Sequence, residues 1–296
     1  MITSNAADRG KRLDQFLRES LPQYSRSRLQ DWIDQGRVLV DGKTEKRSYL
    51  LKGAERIQVE PGELAPLKAT PEDIPVEVLY EDADVIAINK PADMVVHSGA
   101  GRHSGTLVNA LLHRFGKLSE VAGDLRPGIV HRLDRFTSGV ILVARNDAAH
   151  RDLARQFASR QVEKIYVALV EGRMKSEQGR VTTPIARDPE HRTRMTVRLK
   201  RGRQADTGYR VLKRFEKNTL LEVKLGTGRT HQIRVHLASI RHPVTGDRLY
   251  GAPASDLGRY FLHARQVSFT SPSTGERVTV AAPLPADLEN YLAALK

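Results

Sequence analysis

The residues best suited to chemistry lie together in one segment, Arg126-Pro127-Gly128-Ile129-Val130-His131-Arg132-Leu133-Asp134-Arg135-Phe136-Thr137-Ser138-Gly139. Asp134 falls in a polar, glycine-punctuated stretch between two apolar runs, Ile129-Val130 and Val140 to Val143. A loop held by rigid strands is where catalytic groups tend to sit. Arg132 and Arg135 flank the carboxylate. A carboxylate beside guanidinium groups stays ionised, the state that a nucleophile or general base requires. The same residues also fit a structural turn closed by an Asp-Arg ion pair, and residue chemistry alone favours the turn.

Other chemical signals are weaker. His231 and His236 are separated by five positions, which places them poorly on one helix face. With no His-Glu-x-x-His run, no metal site is expected. Gly226-Thr227-Gly228 lacks the third glycine of a dinucleotide fingerprint and reads as a turn into a helix. The chain has no cysteine, which excludes disulfides, thiolate nucleophiles and cysteine-built zinc sites and fits a reducing compartment.

Charge points to the partner. The chain of 296 residues carries a formal net charge of +13, and such an excess favours a polyanion, because each neutralised phosphate releases a condensed counterion. Arg187 to Lys217 holds eleven cations (among them Arg194, Arg198, Lys200, Arg201 and Arg203) against four acids, a local +7 that is over half of the total. That clustering suggests a phosphate-tracking face; the alternative is a solvated hairpin. Met1 to Gly10 has no apolar segment and the apolar stretch Val140 to Ala144 is far too short to span a bilayer. A cytoplasmic monomer with no membrane association is expected.

The elements that must position these groups fall into two parts. Leu13, Phe16 and Leu17, then Leu29, Trp32 and Ile33, recur at helical spacing. Ser25 is a candidate N-cap and Gly36 a candidate stop for the second helix. Val38 to Val40 and Ile57 to Val59 read as strands, with Asp41-Gly42 as a tight hairpin turn. Trp32 falls on the apolar face and reads as core. A small module is therefore predicted over residues 1–60. Pro61, Pro66, Pro71 and Pro75 predict a linker over 61–75, and residues 76–296 form a second domain. Strands are predicted at Val85 to Asn89, Gly139 to Ala144, Lys164 to Val170, Arg194 to Leu199, Asp206 to Phe215, Thr219 to Leu225 and Gln266 to Thr270. Helices are predicted at Leu107 to Phe115, Ala148 to Ser159, His231 to Ile240 and Ala286 to Ala294. The pattern predicts an α+β fold with a mixed, mostly antiparallel central sheet.

His131-Arg132-Leu133-Asp134 followed by Thr137-Ser138-Gly139 resembles the signature of the RluA-type pseudouridine synthases. Three further blocks agree in the family's order: Asn89-Lys90-Pro91 with Val95-Val96-His97, then Val162-Glu163-Lys164-Ile165-Tyr166-Val167-Ala168, then Gly226 to His236. Pro243, Gly246-Asp247, Tyr250-Gly251 and Leu262-His263-Ala264 follow. Four ordered blocks are far more specific than one short motif. The N-terminal module resembles an S4 RNA-binding domain through Arg12-Leu13-Asp14, Phe16-Leu17, Ser25 to Leu29, Ile33, Gly36, Val38 and Val40 to Gly42. There Arg26 and Arg28 open a helix whose N-terminal amides can face a phosphate.

The resemblance implies a pseudouridine synthase fold and an isomerase that converts uridine to pseudouridine within RNA, with Asp134 as the catalytic aspartate. Tyr166 matches the tyrosine that stacks on the target base, Arg234 the basic partner of the aspartate, and Ile233 its apolar neighbour beneath the uracil. Arg132 matches the residue that fills the space of a displaced nucleotide; His131 and Arg229, within the same blocks, are further substrate-binding candidates. Phe136 departs from the acidic or small residue often found there, which puts substrate contacts in question. Isomerisation breaks N1–C1′ and joins C5 to C1′ with no redox change, so no cofactor is implied. The target must leave its stack, at a cost of a few kcal/mol. Wording around Leu118-Ser119 and Val121-Ala122-Gly123 is similar to the branch acting on large-subunit ribosomal RNA. Two rivals remain at this level: a non-enzymatic RNA-binding or ribosome-assembly factor, and a hydrolase of another N-glycoside.

Overall fold

The N-terminal unit, Met1–Lys68, opens on β1 (Ile2–Thr3), α1 (Leu13–Ser20) and α2 (Arg26–Asp34), followed by β2 (Val38–Val40), β3 (Lys43–Thr44) and β4 (Arg56–Val59). The computed structural model describes residues 1–24, 26–61, 69–97, 104–191, 193–199 and 201–296, with the side chains of 26 and 27 excepted. The N-cap expected at Ser25, the side chain of Arg26, and Pro66, Arg192 and Lys200 lie outside the described residues.

The helical spacing works as expected. Leu13, Phe16 and Leu17 of α1 bury against Leu29, Trp32 and Ile33 of α2 and against Val38, Val40 and Ile57 of a sheet ordered β1-β4-β2-β3. Each fully buried Leu or Phe contributes roughly 2 kcal/mol. Trp32 is core, edge-on to Tyr24 at 4.8 Å. Asp41 and Gly42 both take positive φ (49° and 78°), the conformation that a two-residue hairpin between right-twisted strands requires. Asp14 is fully buried, yet Arg12 Nε donates to it at 2.9 Å and Gln30 Nε2 at 2.7 Å, tying α1 to α2.

The second unit, Ala69–Lys296, contains β5 (Glu77–Glu81), β6 (Val85–Lys90), α3 (Leu107–Phe115), β7 (Ser138–Ala144), α4 (Asp147–Ala158), β8 (Glu163–Glu171), β9 (Gln178–Val181), β10 (Ala186–Arg187), β11 (Met195–Thr196), β12 (Thr207–Arg214), β13 (Asn218–Leu225), α5 (Gln232–Ser239), β14 (Leu262–Thr270), β15 (Arg277–Ala281) and α6 (Ala286–Ala293). Among the described residues, nine strands form one sheet, ordered β5-β6-β7-β14-β8-β13-β12-β9, with β15 on β14. Within this sheet, among the described residues, only the β7–β14 pairing is parallel. The mixed, mostly antiparallel α+β architecture expected from the sequence is therefore present.

The whole of β7 is buried. Its Ile141 and Val143 face one core, which includes Leu107 and Leu111 of α3, and its Val140 and Leu142 face another, which includes Leu153 of α4. Burial on both faces explains why this strand reads as a continuous apolar run rather than an alternation. A transverse row of paired residues crosses the sheet: Gly139 of β7 opposes Ala264 of β14, Ala264 opposes Tyr166 of β8, and Tyr166 opposes Val223 of β13. Gly139 has φ 110°, and a Cβ there would overlap the Ala264 carbonyl oxygen, so only glycine lets β7 approach at this point.

Two expectations change. The proline spacing predicts a linker up to residue 75, but from Ala69 onward the segment packs on the second unit. Ala69 and Val76 are buried in its main core, and Asn109 Nδ2 donates to the Thr70 carbonyl at 2.6 Å. The strand expected at Arg194 to Leu199 shrinks to β11, paired only with β10. Met195 and Val197 pack on Ile185, Val235 and Tyr250, while Arg198 and Leu199 are exposed and have no partner strand among the described residues. No described helix is long and apolar enough to cross a membrane.

Candidate active site

The loop preceding β7 is pinned from below. Lys90, fully buried at the end of β6, donates to the carbonyls of Pro91 (2.6 Å), Met94 (2.9 Å) and Arg135 (3.1 Å). Burial pushes its ammonium down to about 7, against the pull of Asp134. Arg259 Nη1 donates to the Phe136 carbonyl at 3.2 Å and to Ser138 Oγ at 3.2 Å. Thr137 N–H closes a turn on the Asp134 carbonyl at 3.1 Å. Phe136 packs against the main core, edge-on to Tyr260 at 6.1 Å.

Asp134 emerges from this loop with its side chain 18% exposed, and its partner is not local. Arg135 turns away to Asp93 at 2.6 Å, and Arg132 is exposed. Arg234 Nη1 reaches Asp134 Oδ2 at 3.3 Å, across a separation of 100 residues. A local turn closed by a neighbouring arginine is therefore not what the carboxylate makes.

Arg234 is itself fixed. It is 5% exposed on α5 and donates through Nε (2.6 Å) and Nη2 (2.9 Å) to both oxygens of Asp247, which is 2% exposed. Such a fork sets the guanidinium plane, and the remaining nitrogen is the one that meets Asp134. The plane also lies over the rings of Tyr260 (4.2 Å) and Tyr250 (5.1 Å). Burial and the charge of Asp134 push the Tyr260 phenol well above its usual range. Asp247 is held because Thr245 N–H donates to the Leu169 carbonyl of β8 at 2.8 Å. The following Gly246 turns at φ 79° where a Cβ would overlap the Arg259 carbonyl.

His231 caps α5 with φ 54°, a left-handed conformation that costs a non-glycine residue about 1 kcal/mol. Its Nδ1 lies 2.9 Å from the Tyr250 hydroxyl, which accepts from Met195 N–H at 2.9 Å. The arrangement that satisfies both groups has Tyr250 donating to Nδ1, and this leaves the Nε2 proton facing Asp134 Oδ2 at 3.9 Å.

Asp134, His231 and Arg234 line one cavity of about 550 Å³, with Asp247, Tyr250 and Tyr260 behind Arg234. Tyr166, 8% exposed, and Ile233, 4% exposed, form part of its wall beside Asp134. Burial and the nearby Asp134 charge push the Tyr166 phenol up, so it stays protonated. Arg132, His131 and Arg229 line the cavity as well. His131 is committed inward: Leu142 N–H donates to its Nε2 at 2.8 Å and its ring packs on Phe157 at 4.7 Å. Burial, with Lys164 nearby, drives it down to about 3, so it is neutral. The loop at Gly226 is knitted by Gln232, which accepts from Thr227 Oγ1 (2.7 Å) and Arg229 N–H (2.9 Å) and donates to the Asp206 carbonyl (2.8 Å) and Thr207 Oγ1 (2.9 Å).

The structure thus gathers Asp134, Tyr166, Arg234, Ile233, Arg132, His131 and Arg229 at one cavity. Arg203 joins them; Arg194 lies over Tyr250 at 5.5 Å, and Arg198 and Arg201 are exposed. Arg28 lies on α2 in the other unit. Sequence reasoning did not assign Asp247, Tyr250, Tyr260 and His231 to the site, although three of them stand in the family's blocks. Their signal is a tertiary one, contact with Arg234 for Asp247, Tyr250 and Tyr260 and with Asp134 for His231. Asp188, Glu190 and His191, which cluster within 4.8 Å, form a surface turn in which Asp188 Oδ1 accepts two backbone N–H groups.

Residues 84–239 match the family model of RNA pseudouridylate synthase. The chain belongs to this family of RNA-acting isomerases. Residues 11–57 of the synthase match the S4 domain. An RNA pseudouridine synthase of Aquifex aeolicus (strain VF5) is 47% identical over 278 residues, covering 90% of this chain and 88% of its own. The "Ribosomal large subunit pseudouridine synthase D" of Nitrosomonas europaea is 46% identical over 297 residues, covering 97% of this chain and 85% of its own. Human RNA Pseudouridylate Synthase Domain Containing 1 is similar in structure, with a TM-score of 0.59 at 28% identity, covering 77% of this chain and 87% of its own.

Proposed function

We propose that the synthase isomerises specific uridines of large-subunit ribosomal RNA, with Asp134 as the catalytic carboxylate. The observation that carries this reading is the placement of Asp134 in the cavity wall, ion-paired to Arg234 at 3.3 Å and beside the buried Tyr166. Arg234 holds the carboxylate aimed at the ribose. Tyr166 and Ile233 provide the faces between which uracil turns once N1–C1′ breaks. Joining C5 to C1′ expels the C5 hydrogen as a proton, and N1 gains one, so the exchange balances without a cofactor. Arg132, exposed at the cavity rim, occupies the vacated place in the helix, as a planar group with five donors can. His131 supports the site as a brace between the loop and β7. The relative named for the large ribosomal subunit supports that substrate; the lack of cysteine fits a reducing compartment such as the cytoplasm.

RNA labelled with tritium at uridine C5 tests the reaction. The synthase should release tritium to water in proportion to pseudouridine formed, with no free uracil. Release of uracil would make it a hydrolase, and no tritium release with cellular ribosomal RNA would end the proposal.

The S4 domain (Arg26, Arg28) and the basic tract (Arg194, Arg198, Lys200, Arg201, Arg203) supply non-specific grip on RNA in this reading. The tract is not uniform: Arg210 pairs with Glu222 at 2.9 Å and Arg214 with Glu177 at 2.6 Å, whereas Arg198, Arg201 and Arg203 are exposed. Replacing those three by Gln should reduce the slope of log affinity against log salt by about 2 to 3. A slope equal to that of the wild type would make the tract a solvated surface.

A further inference from the structure

Among the described residues four cations are buried: Lys90, Lys164, Arg234 and Arg259. Three have full sets of partners. Lys90 has three carbonyls, Arg234 has Asp247 and Asp134, and Arg259 has Asp287 at 2.6 and 3.1 Å. Lys164 is different. It is 8% exposed and lines the catalytic cavity, and its ammonium makes no hydrogen bond and no ion pair with the described residues. A largely buried ammonium that opens only on the cavity gains most from an anion placed there, so the anion is to be sought in the ligand.

Its surroundings support this. Lys164 lies two positions before Tyr166 on β8, and side chains two apart in a strand share a face. Its Nζ is 5.8 Å from the Phe157 ring centroid. The charge felt from its neighbours is positive: burial first, then Arg229, brings its pKa down to about 8. Arg229 is anchored through Nε to the Gln204 carbonyl at 3.0 Å, which leaves both Nη groups without a partner among the described residues. Arg160, held at φ 62°, lines the same cavity. Asp206, which feels the charge of Arg160, is already engaged by Arg180 through two bonds of 2.7 Å. Three cations thus line one cavity, with Arg229 facing the like charge of both Lys164 and Arg160, and none of the three makes an ion pair with the described residues.

We infer that Lys164, with Arg229 and Arg160, forms a seat for one phosphodiester of the RNA strand inside the catalytic cavity. This rests on the reading of that cavity as the place where the target uridine is received. The seat fixes the strand on the sheet face that carries Tyr166, and so sets how deep the flipped nucleotide enters.

The test uses the full chain and a short RNA hairpin containing a mapped target uridine. Neutral methylphosphonate linkages are placed singly at the phosphates around that uridine. For the wild type, one linkage should raise KM about tenfold, the loss of one charge-assisted contact, with a much smaller effect on kcat. Lys164→Met should raise KM similarly on the unmodified hairpin and be insensitive to that same linkage. Additive effects of variant and linkage, or an unchanged KM in the variant, would overturn the seat. Should Lys164→Met fail to fold, the scan on the wild type still decides: no sensitive linkage means no seat. Failure of the functional reading looks different, because the wild type would then form no pseudouridine in the unmodified hairpin.

Discussion

Asp134→Asn should abolish pseudouridine formation, by on the order of 10³-fold or more in kcat, while leaving RNA affinity close to that of the wild type. The replacement is isosteric and its amide oxygen can still accept from Arg234 Nη1, now 3.3 Å from Oδ2. What is lost is the negative charge at the cavity wall. Stability should change by about 1 kcal/mol or less, because the side chain is partly exposed and Arg234 keeps its fork on Asp247. Activity and affinity are read on the same preparation, by tritium release and by RNA binding at one fixed salt concentration. Wild-type turnover by the variant would remove Asp134 from the chemistry. Equal loss of binding and turnover would make it a recognition residue.

The second large effect belongs to the pair behind that carboxylate. In Arg234→Met the Asp247 carboxylate, 2% exposed, loses both of its strong donors. Breaking a buried pair by removing one partner costs about 3–5 kcal/mol, which should lower the melting temperature by roughly 10 °C in a domain of this size. The double variant Arg234→Met with Asp247→Leu replaces both charges by apolar groups and should recover most of the loss, since desolvation offsets much of what a buried ion pair gains. It should not recover turnover, because Asp134 remains without its partner. Calorimetry and activity together separate the two roles. A single variant that melts with the wild type would show that the pair does not hold α5 to the Gly246 turn. A double variant that turns over normally would show that Arg234 does not serve Asp134.

The N-terminal unit was legible because its determinants are local. Helical spacing in Leu13, Phe16 and Leu17 and the Asp41-Gly42 turn act within a few residues of chain. The buried β7 and β8 were legible as apolar runs. Among the strands that went unread, β5 has no fully buried residue and β9 only one, so they carry little core signal, while β15 alternates through Val278 and Val280 over only five residues. The site divides in the same way. Asp134 was found, but its sequence neighbours Arg132 and Arg135 suggested a local ion pair. Its actual partner lies 100 positions away, brought in by sheet order that no spacing rule reports. Asp247 and Tyr250 stood in recognisable blocks, yet their work on Arg234 is visible only once α5 is packed against the Gly246 turn. Lys164 stood in a family block without a role, and its burial beside the cavity is visible only in the fold.

The row Gly139, Ala264, Tyr166 and Val223 crosses the middle of the sheet. The loop bearing Asp134 leads directly into one end of it, and the loop bearing Arg229 follows the strand at the other. Amide protons in such a row exchange with solvent only when the sheet opens as a unit. The centre therefore has no melting event of its own. Heat should inactivate the protein in the same cooperative step that unfolds it, and gains in global stability should carry the working temperature upward with them.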